Sequence, residues 1–142
     1  MAKAAGNRVL VLNAHSGGKG LVRHLAFQGR RCLSQLGLTR VELSIFLVDD
    51  RLIGHLNRIW RKMDQPTDVL SFPAGETPEG VGAKKILGDV VISLDTARRR
   101  SGSDGVRKEL SRYLVHGLLH LLGYDHRKKA DARRMARRES SF

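Results

Sequence analysis

The first half of the chain contains two apolar runs of strand type with a helix-forming segment between them. Residues 9–12 are a short run of valine and leucine, and residues 40–48 carry apolar side chains at every second position and two more on the opposite side. The second run therefore predicts a strand that is buried on both faces. A cluster of glycines separates the first strand from a helix predicted over residues 21–36.

A second helix is predicted directly after the second strand. Asp49 and Asp50 offer N-cap oxygens to a segment in which apolar residues recur every three or four positions, and the helix is expected to end before Pro66. A short strand is predicted over residues 69–72, where three of the four residues are apolar, and Pro73 is expected to stop it.

The remaining elements follow in the same alternating order. Residues 74–85 have no periodic pattern and predict an exposed loop. Residues 86–92 predict a strand, and Ser93 can cap the helix that follows. Residues 104–122 place a broad apolar face at helical spacing and predict the core helix, and residues 127–139 are helical by composition.

These patterns predict a single α+β domain over residues 1–142, with a mixed sheet of about four strands packed with four to six helices. Neither an internal repeat nor a linker divides the chain. No run approaches the ~20 apolar residues of a membrane span, so we expect no membrane contact and a cytoplasmic location. Cys32 is the only cysteine, which excludes an internal disulfide.

The charge of the chain is strongly positive and unevenly distributed. Its net charge is +12, from 26 Lys and Arg against 14 Asp and Glu. Residues 1–39 hold six basic and no acidic residues, and residues 98–142 hold thirteen against five, whereas the middle is slightly acidic. Such a balance favours polyanionic partners, with RNA, DNA or an anionic surface as candidates, although a solvated basic surface has the same composition.

The strongest chemical signal is a histidine cluster, HGLLHLLGYDH, that gathers three of the six histidines into residues 116–126. His116 and His120 are four apart and fall on one face of the core helix, where both can point a ring nitrogen at one ion. Gly123 can end the helix in a left-handed conformation, so that the chain turns and His126 returns to the same point. Asp125 could orient a ligand imidazole or simply cap the turn.

Three neutral imidazoles form a ligand set suited to Zn²⁺, and three protein ligands leave one position of a tetrahedral ion open for water. Water bound there could ionise near neutral pH while the ion polarises a carbonyl or phosphoryl oxygen. The spacing is shared with metzincin proteases, but their motif has a glutamate directly after the first histidine as general base. Gly117 stands at that position and cannot transfer a proton. Close packing of another backbone over Gly117 would explain its presence.

Three motifs together resemble the YbeY family of bacterial metal-dependent endoribonucleases, which take part in ribosomal RNA maturation and ribosome quality control. LNRIWR at residues 56–61, followed by DQPTDVLSFP at residues 64–73, is similar to one family signature, and LGDVVIS at residues 87–93 to another. Residues 116–126 complete the family motif. The similarity runs from about residue 41 to residue 139, and residues before it match poorly.

The resemblance implies that His116, His120 and His126 bind one zinc ion per chain and that Arg61 is the functionally critical arginine near the metal. It further implies a zinc-dependent endoribonuclease acting on single-stranded regions of ribosomal RNA, including the 3′ end of 16S rRNA, with RNA and the small ribosomal subunit as partners. A guanidinium agrees with this role because it is always charged and can hold two phosphate oxygens in a planar fork. Trp60 stands where the family often has tyrosine.

Two other functions stay open at this point. A ribosome-associated assembly factor could use the metal only to hold its C-terminal region together, and a metalloprotease is a weaker alternative. Asp89 could support the site or merely punctuate a strand. Arg98, Arg99 and Arg100 are candidate RNA contacts, although a solvated helix end looks the same. NAHSGGKG at residues 13–20 differs from a Walker phosphate loop because no hydroxyl residue follows the lysine.

Overall fold

The computed structural model describes residues 6–75, 85–103 and 105–123. Within these ranges each predicted strand, and the predicted helices over residues 21–36 and 104–122, begin and end within one residue of the expected bounds. The helix predicted over residues 127–139 and most of the loop over residues 74–85 lie outside the described residues. The elements are β1 (Arg8–Asn13), a 3-10 turn (Lys19–Leu21), α1 (Val22–Gln35), β2 (Val41–Val48), α2 (Asp50–Arg61), β3 (Val69–Pro73), β4 (Lys85–Ser93), α3 (Leu94–Arg100) and α4 (Gly105–Leu121).

The four strands form one mixed sheet in the order β1, β2, β4, β3. The first three are parallel to one another, and β3 pairs antiparallel with β4 at the edge. A mixed sheet packed with helices confirms the predicted α+β class. None of the helices in the described part of the chain is long and apolar enough to cross a membrane.

The helices cover the two faces of the sheet unequally. On one face α1 and α4 pack against alternate side chains of the strands and form the larger core cluster. On the other face α2 contributes Ile53 to a small cluster with Val48, Leu70 and Val91. Alternation along each strand therefore places neighbouring residues in different environments. The core residues buried to zero exposure include Leu25, Leu33, Leu43, Ile45, Leu47, Leu110 and Leu114.

Strand β4 contains an irregularity at Gly88, whose φ is +138°. The pairing register with β2 shifts there, between Glu42 and Leu43. A Cβ on Gly88 would lie 2.3 Å from the carbonyl oxygen of Phe72 in β3, a distance at which no side chain fits. Glycine is therefore required both by the backbone angle and by the close approach of the edge strand.

Of the two aspartates predicted to cap α2, only Asp49 does so, with its carboxylate accepting from the Leu52 amide at 2.9 Å. The other, Asp50, turns its carboxylate towards α3, where Oδ1 accepts from Ser93 Oγ at 2.6 Å and from Thr96 Oγ1 at 2.8 Å. Oδ2 accepts from the guanidinium of Arg99. Burial raises the pKa of Asp50, but these three hydrogen bonds and the arginine charge outweigh it, so the net pKa lies below the usual value.

Candidate metal centre

Helix α4 brings His116 and His120 together, as their spacing predicts. The two Nε2 atoms lie 3.1 Å apart, and the ring centroids are 4.6 Å apart with the planes inclined at 62°. Both residues are half-buried. The rings therefore converge on one point beside the helix instead of fanning out into solvent.

This geometry fits a zinc ion. Two imidazole nitrogens that each lie ~2.0–2.1 Å from one tetrahedral zinc are about 3.3 Å apart. The 3.1 Å separation of the two Nε2 atoms is close to that value. The two nitrogens would need to separate by only a few tenths of an ångström to match the spacing of two ligands of one zinc ion.

The third predicted ligand, His126, and its neighbour Asp125 lie outside the described residues. Within residues 6–75, 85–103 and 105–123, no group of three or more His, Cys, Asp or Glu side chains could hold a metal ion. The predicted helix end is confirmed, because Gly123, two residues after the last residue of α4, adopts φ +97° and its amide donates to the His120 carbonyl oxygen at 3.0 Å. A positive φ at this position is the one that glycine adopts readily at a helix end.

Gly117, between His116 and His120 on α4, packs against the sheet. A Cβ there would lie 2.7 Å from Cγ1 of Val90, 3.0 Å from Cγ2 of Val69 and 3.1 Å from Oγ of Ser71. The predicted close packing is confirmed, but the neighbours are strand side chains and not another backbone. Glycine lets α4 approach the sheet closely, and this packing sets the distance of both histidines from the sheet.

Ser71 also helps to position the histidines, a role that the sequence did not predict. Its hydroxyl donates to the carbonyl oxygen of Gly117 at 2.7 Å. This bond joins the edge strand β3 to the turn of α4 that carries the two histidines. The residue lies in the motif DQPTDVLSFP, but its partner is 46 positions away, and nothing in the local pattern identifies such a partner.

Arg61 is the last residue of α2 and its side chain is exposed. Among the described residues, its guanidinium has no hydrogen-bond or ion-pair partner. Lys62 follows with φ +58° and closes the helix. The buried Asn57 donates from Nδ2 to the carbonyl oxygen of Gln65 at 2.9 Å and so fixes the turn that leads from α2 to β3.

Strand β3 connects the arginine and the histidines. On one side of it, Trp60 makes an edge contact with Phe72, with ring centroids 5.8 Å apart. On the other side, Ser71 holds Gly117 of α4. Trp60, which precedes Arg61, and Gly117, which follows His116, thus contact Phe72 and Ser71, two successive residues of β3.

Asp89 lies on the α2 face of the sheet, in a groove of about 630 Å³ that it shares with apolar residues including Trp60 and Phe72. Burial raises the pKa of its carboxyl group. Since α4 packs on the opposite face, this carboxylate lies on the same face of the sheet as α2, the helix that ends at Arg61, and not on the face of His116 and His120.

The loop over residues 13–20 uses its polar groups internally. The amide of Gly17 donates to His15 Nδ1 at 2.8 Å, and His15 Nε2 lies 2.8 Å from the Asp95 carboxylate. The amide of Gly18 donates to the His15 carbonyl oxygen, and the amide of Ala14 to that of Leu47. These amides are therefore already paired, which is a physical reason why the loop differs from a phosphate-binding loop.

The three consecutive arginines at the end of α3 also have internal partners. The guanidinium of Arg99 pairs with Asp50, that of Arg100 lies 3.2 Å from the Asp68 carboxylate, and that of Arg98 donates to the Gly17 carbonyl oxygen at 3.1 Å. Two of the three positive charges are thus balanced locally, which weakens this segment as a contact for RNA phosphate.

Comparison with solved structures finds the same fold in a protein of known solution structure, TM1509 from Thermotoga maritima. The two chains are 28% identical with a TM-score of 0.61, and the match covers 94% of this chain and 85% of that chain.

The family model described as Endoribonuclease YbeY matches residues 24–142. The chain therefore belongs to the YbeY family. Curated relatives with the name Endoribonuclease YbeY include one from Myxococcus xanthus, 54% identical over 138 residues, and one from Anaeromyxobacter dehalogenans, 55% identical over 136 residues. The matches cover 96% and 94% of this chain and 47% and 69% of the two relatives. The chain thus spans about half the length of the Myxococcus protein.

Proposed function

We propose that this chain is a zinc-dependent endoribonuclease that cleaves single-stranded regions of ribosomal RNA, with His116, His120 and His126 as the metal ligands and Arg61 as the phosphate contact. Its place would be the cytoplasm, in maturation of the 3′ end of 16S rRNA and in ribosome quality control, with the small ribosomal subunit as partner. The observation that carries the proposal is the convergence of two Nε2 atoms at 3.1 Å on α4, in a chain of the YbeY family.

In this proposal α4 carries two of the metal ligands and α2 carries the phosphate contact. The histidines would hold the ion, and the positive φ of Gly123 ends α4 between His120 and His126. A zinc ion held there would supply Lewis-acid polarisation of a phosphoryl oxygen. Arg61 would bind two non-bridging phosphate oxygens through its planar fork and stabilise the negative charge that grows as the phosphodiester is attacked.

The packing of Gly117 disfavours a protease of the metzincin type. Such an enzyme needs a carboxylate next to the first histidine. In this chain that position faces the sheet, where even a Cβ would lie 2.7 Å from Val90. A side chain there would point into the sheet, so the metzincin mechanism has no place for its general base in this chain.

Cleavage of ribosomal RNA fragments under single-turnover conditions tests the proposal, together with elemental analysis of the purified protein. We expect about one zinc per chain, and loss of both zinc and cleavage in His116→Ala and His126→Ala. Arg61→Ala should retain zinc and cleave roughly 100-fold more slowly, the effect of removing one donor to a charged transition state. Arg61→Lys should recover little, because an ammonium lacks the planar fork.

Arg58→Ala is the matched control, since Arg58 is also an exposed arginine of α2. It should cleave at the rate of the unmodified chain. Equal cleavage by Arg61→Ala and Arg58→Ala would refute the role of Arg61. Cutting that persists in both histidine variants would show that the activity does not come from this site. A protein that needs zinc to fold and never cleaves RNA would instead be an assembly factor with a structural metal.

A further inference from the structure

The outward face of α1 is a basic surface with an aromatic residue at its centre. Arg23, Arg30 and Arg31 are exposed, and Phe27 is 58% exposed. Phe27 follows Arg23 by four positions and precedes the other two by three and four, so all four side chains share one side of the helix. The opposite side is buried and includes Leu25, Cys32 and Leu33.

Some surface arginines of the described residues lie next to carboxylates, as in the pairs of Arg99 with Asp50 and Arg100 with Asp68. The three arginines of α1 belong, like Arg61, to those that do not. In the described residues, none of the three arginines of α1 has an ion-pair or hydrogen-bond partner. The first 39 residues also contain no Asp or Glu. The positive charge of this surface is therefore not balanced locally.

Helix α4 packs beside α1 and extends this surface. His24 Nε2 of α1 donates to the carbonyl oxygen of Arg107 at 2.9 Å, and Ser111 Oγ lies 3.1 Å from the same nitrogen. A groove of about 190 Å³ between the two helices is lined mainly by polar and basic side chains. They are Gln28, Arg31, Gln35, Lys108, Ser111 and Arg112.

The same side of α4 leads to the histidines. Lys108 and Arg112 precede His116 by eight and four residues, so they lie on one side of the helix and span ~12 Å along its axis. A polyanion that crosses α1 and enters the groove would therefore run towards the candidate metal centre.

We propose that this surface binds single-stranded RNA, with the arginines of α1 contacting phosphates and one unpaired base stacking on Phe27. Arginine and an exposed aromatic ring are the two groups that such an interface combines. A ring facing water gives a helix no stability of its own, and a partner base would remove it from water. The face offers Phe27 as its one large exposed apolar side chain, which is too little for insertion into a membrane.

Equilibrium binding of a short fluorescein-labelled oligouridylate, measured by anisotropy over a range of salt concentrations, tests this proposal. The variant Arg30→Gln/Arg31→Gln should lower the slope of log K against log salt by about 1.4, since each phosphate contact on a single strand contributes ~0.7. The matched control is Arg51→Gln/Arg58→Gln, which removes the same charge from exposed positions of α2 on the other face of the sheet. Its slope should remain close to that of the unmodified chain.

The stacking contact has its own variants. Phe27→Leu keeps an apolar side chain without the ring and should weaken binding roughly five-fold or more, whereas Phe27→Tyr should restore it. Circular dichroism of each variant checks that α1 is intact, which is expected because every changed side chain is exposed.

Equal losses in the two double arginine variants would overturn the proposal, because binding would then follow net charge and not this surface. Unchanged binding by Phe27→Leu would overturn it as well. Vesicles of phosphatidylcholine and phosphatidylserine provide the third comparison. If Arg30→Gln/Arg31→Gln lost vesicle binding and kept RNA binding, the surface would be a membrane contact.

The proposal takes RNA as the substrate, as the proposed function does, but its test does not depend on cleavage. A chain that binds through α1 and never cuts would contradict only the proposed function. A chain that cuts RNA without dependence on α1 would contradict only the present proposal.

Discussion

Gly117→Ala perturbs the contact between α4 and the sheet at the point that sets the distance of both histidines from the sheet. The added Cβ would lie 2.7 Å from Val90 Cγ1 and 3.0 Å from Val69 Cγ2. Both neighbours are β-branched and buried, so their methyl groups cannot rotate away cheaply. Overpacking of this kind typically costs ~1–3 kcal/mol. Replacing a mid-helix glycine by alanine returns ~1 kcal/mol.

We therefore expect Gly117→Ala to lower the free energy of unfolding by about 1 kcal/mol and Tm by about 3–4 °C for a chain of this size. Relief of the clash should also move α4 away from the strands. Zinc affinity, measured by competition with a chromophoric chelator, should fall because His116 and His120, two of the three proposed ligands, are on that helix.

Gly54→Ala is the matched control, because Gly54 is also a mid-helix glycine. A Cβ there would meet nothing closer than the Pro66 nitrogen at 3.6 Å, an ordinary contact. This variant should be stabilised by up to ~1 kcal/mol. Urea unfolding of both variants measures the difference. If Gly117→Ala were as stable as Gly54→Ala, α4 would not be packed against β3 and β4 as described.

Two further changes test side-chain hydrogen bonds that join elements distant in the chain. Ser71→Ala removes the hydrogen bond to the Gly117 carbonyl oxygen and should lower the urea unfolding free energy by about 1 kcal/mol, whereas an unchanged midpoint would mean that the bond does not stabilise the edge strand. Asp50→Asn should lower stability at neutral pH but much less in acid. The folded-state pKa of Asp50 is depressed, so its stabilisation is complete above the unfolded value of ~3.9 and is lost as pH falls through the folded value. Urea titrations at several pH values check this, and a constant difference between the two proteins down to acid pH would contradict it.

The element boundaries could be predicted because each depends on a local signal. Apolar alternation defined β2, a glycine in a left-handed conformation ended α4 at Gly123, and the hydroxyl of Ser93 capped α3, accepting from the Thr96 amide at 3.1 Å. Each signal acts within a few residues, and the sequence displays them directly.

The order of the strands could not be predicted in this way. That β4 lies between β2 and β3, and that β3 alone is antiparallel, depends on pairing between segments far apart in the chain. The hydrogen-bond partners of Asp50 could not be predicted either, because they too are far from it in the chain. The sequence predicts an N-cap role for Asp50, since it is the second of two aspartates before a helix. Its carboxylate instead accepts from donors 43 to 49 positions away.

The antiparallel edge strand physically links the motif that carries Arg61 to the motif that carries the histidines. Because successive residues of a strand point to opposite faces, Phe72 contacts Trp60 of α2 while Ser71 contacts Gly117 of α4. A displacement of β3 would therefore move the arginine end of α2 and the histidine turn of α4 together. Contacts that fix the edge strand, among them the close approach of Gly88 to Phe72, therefore help to position both Arg61 and the two histidines of α4 without touching either.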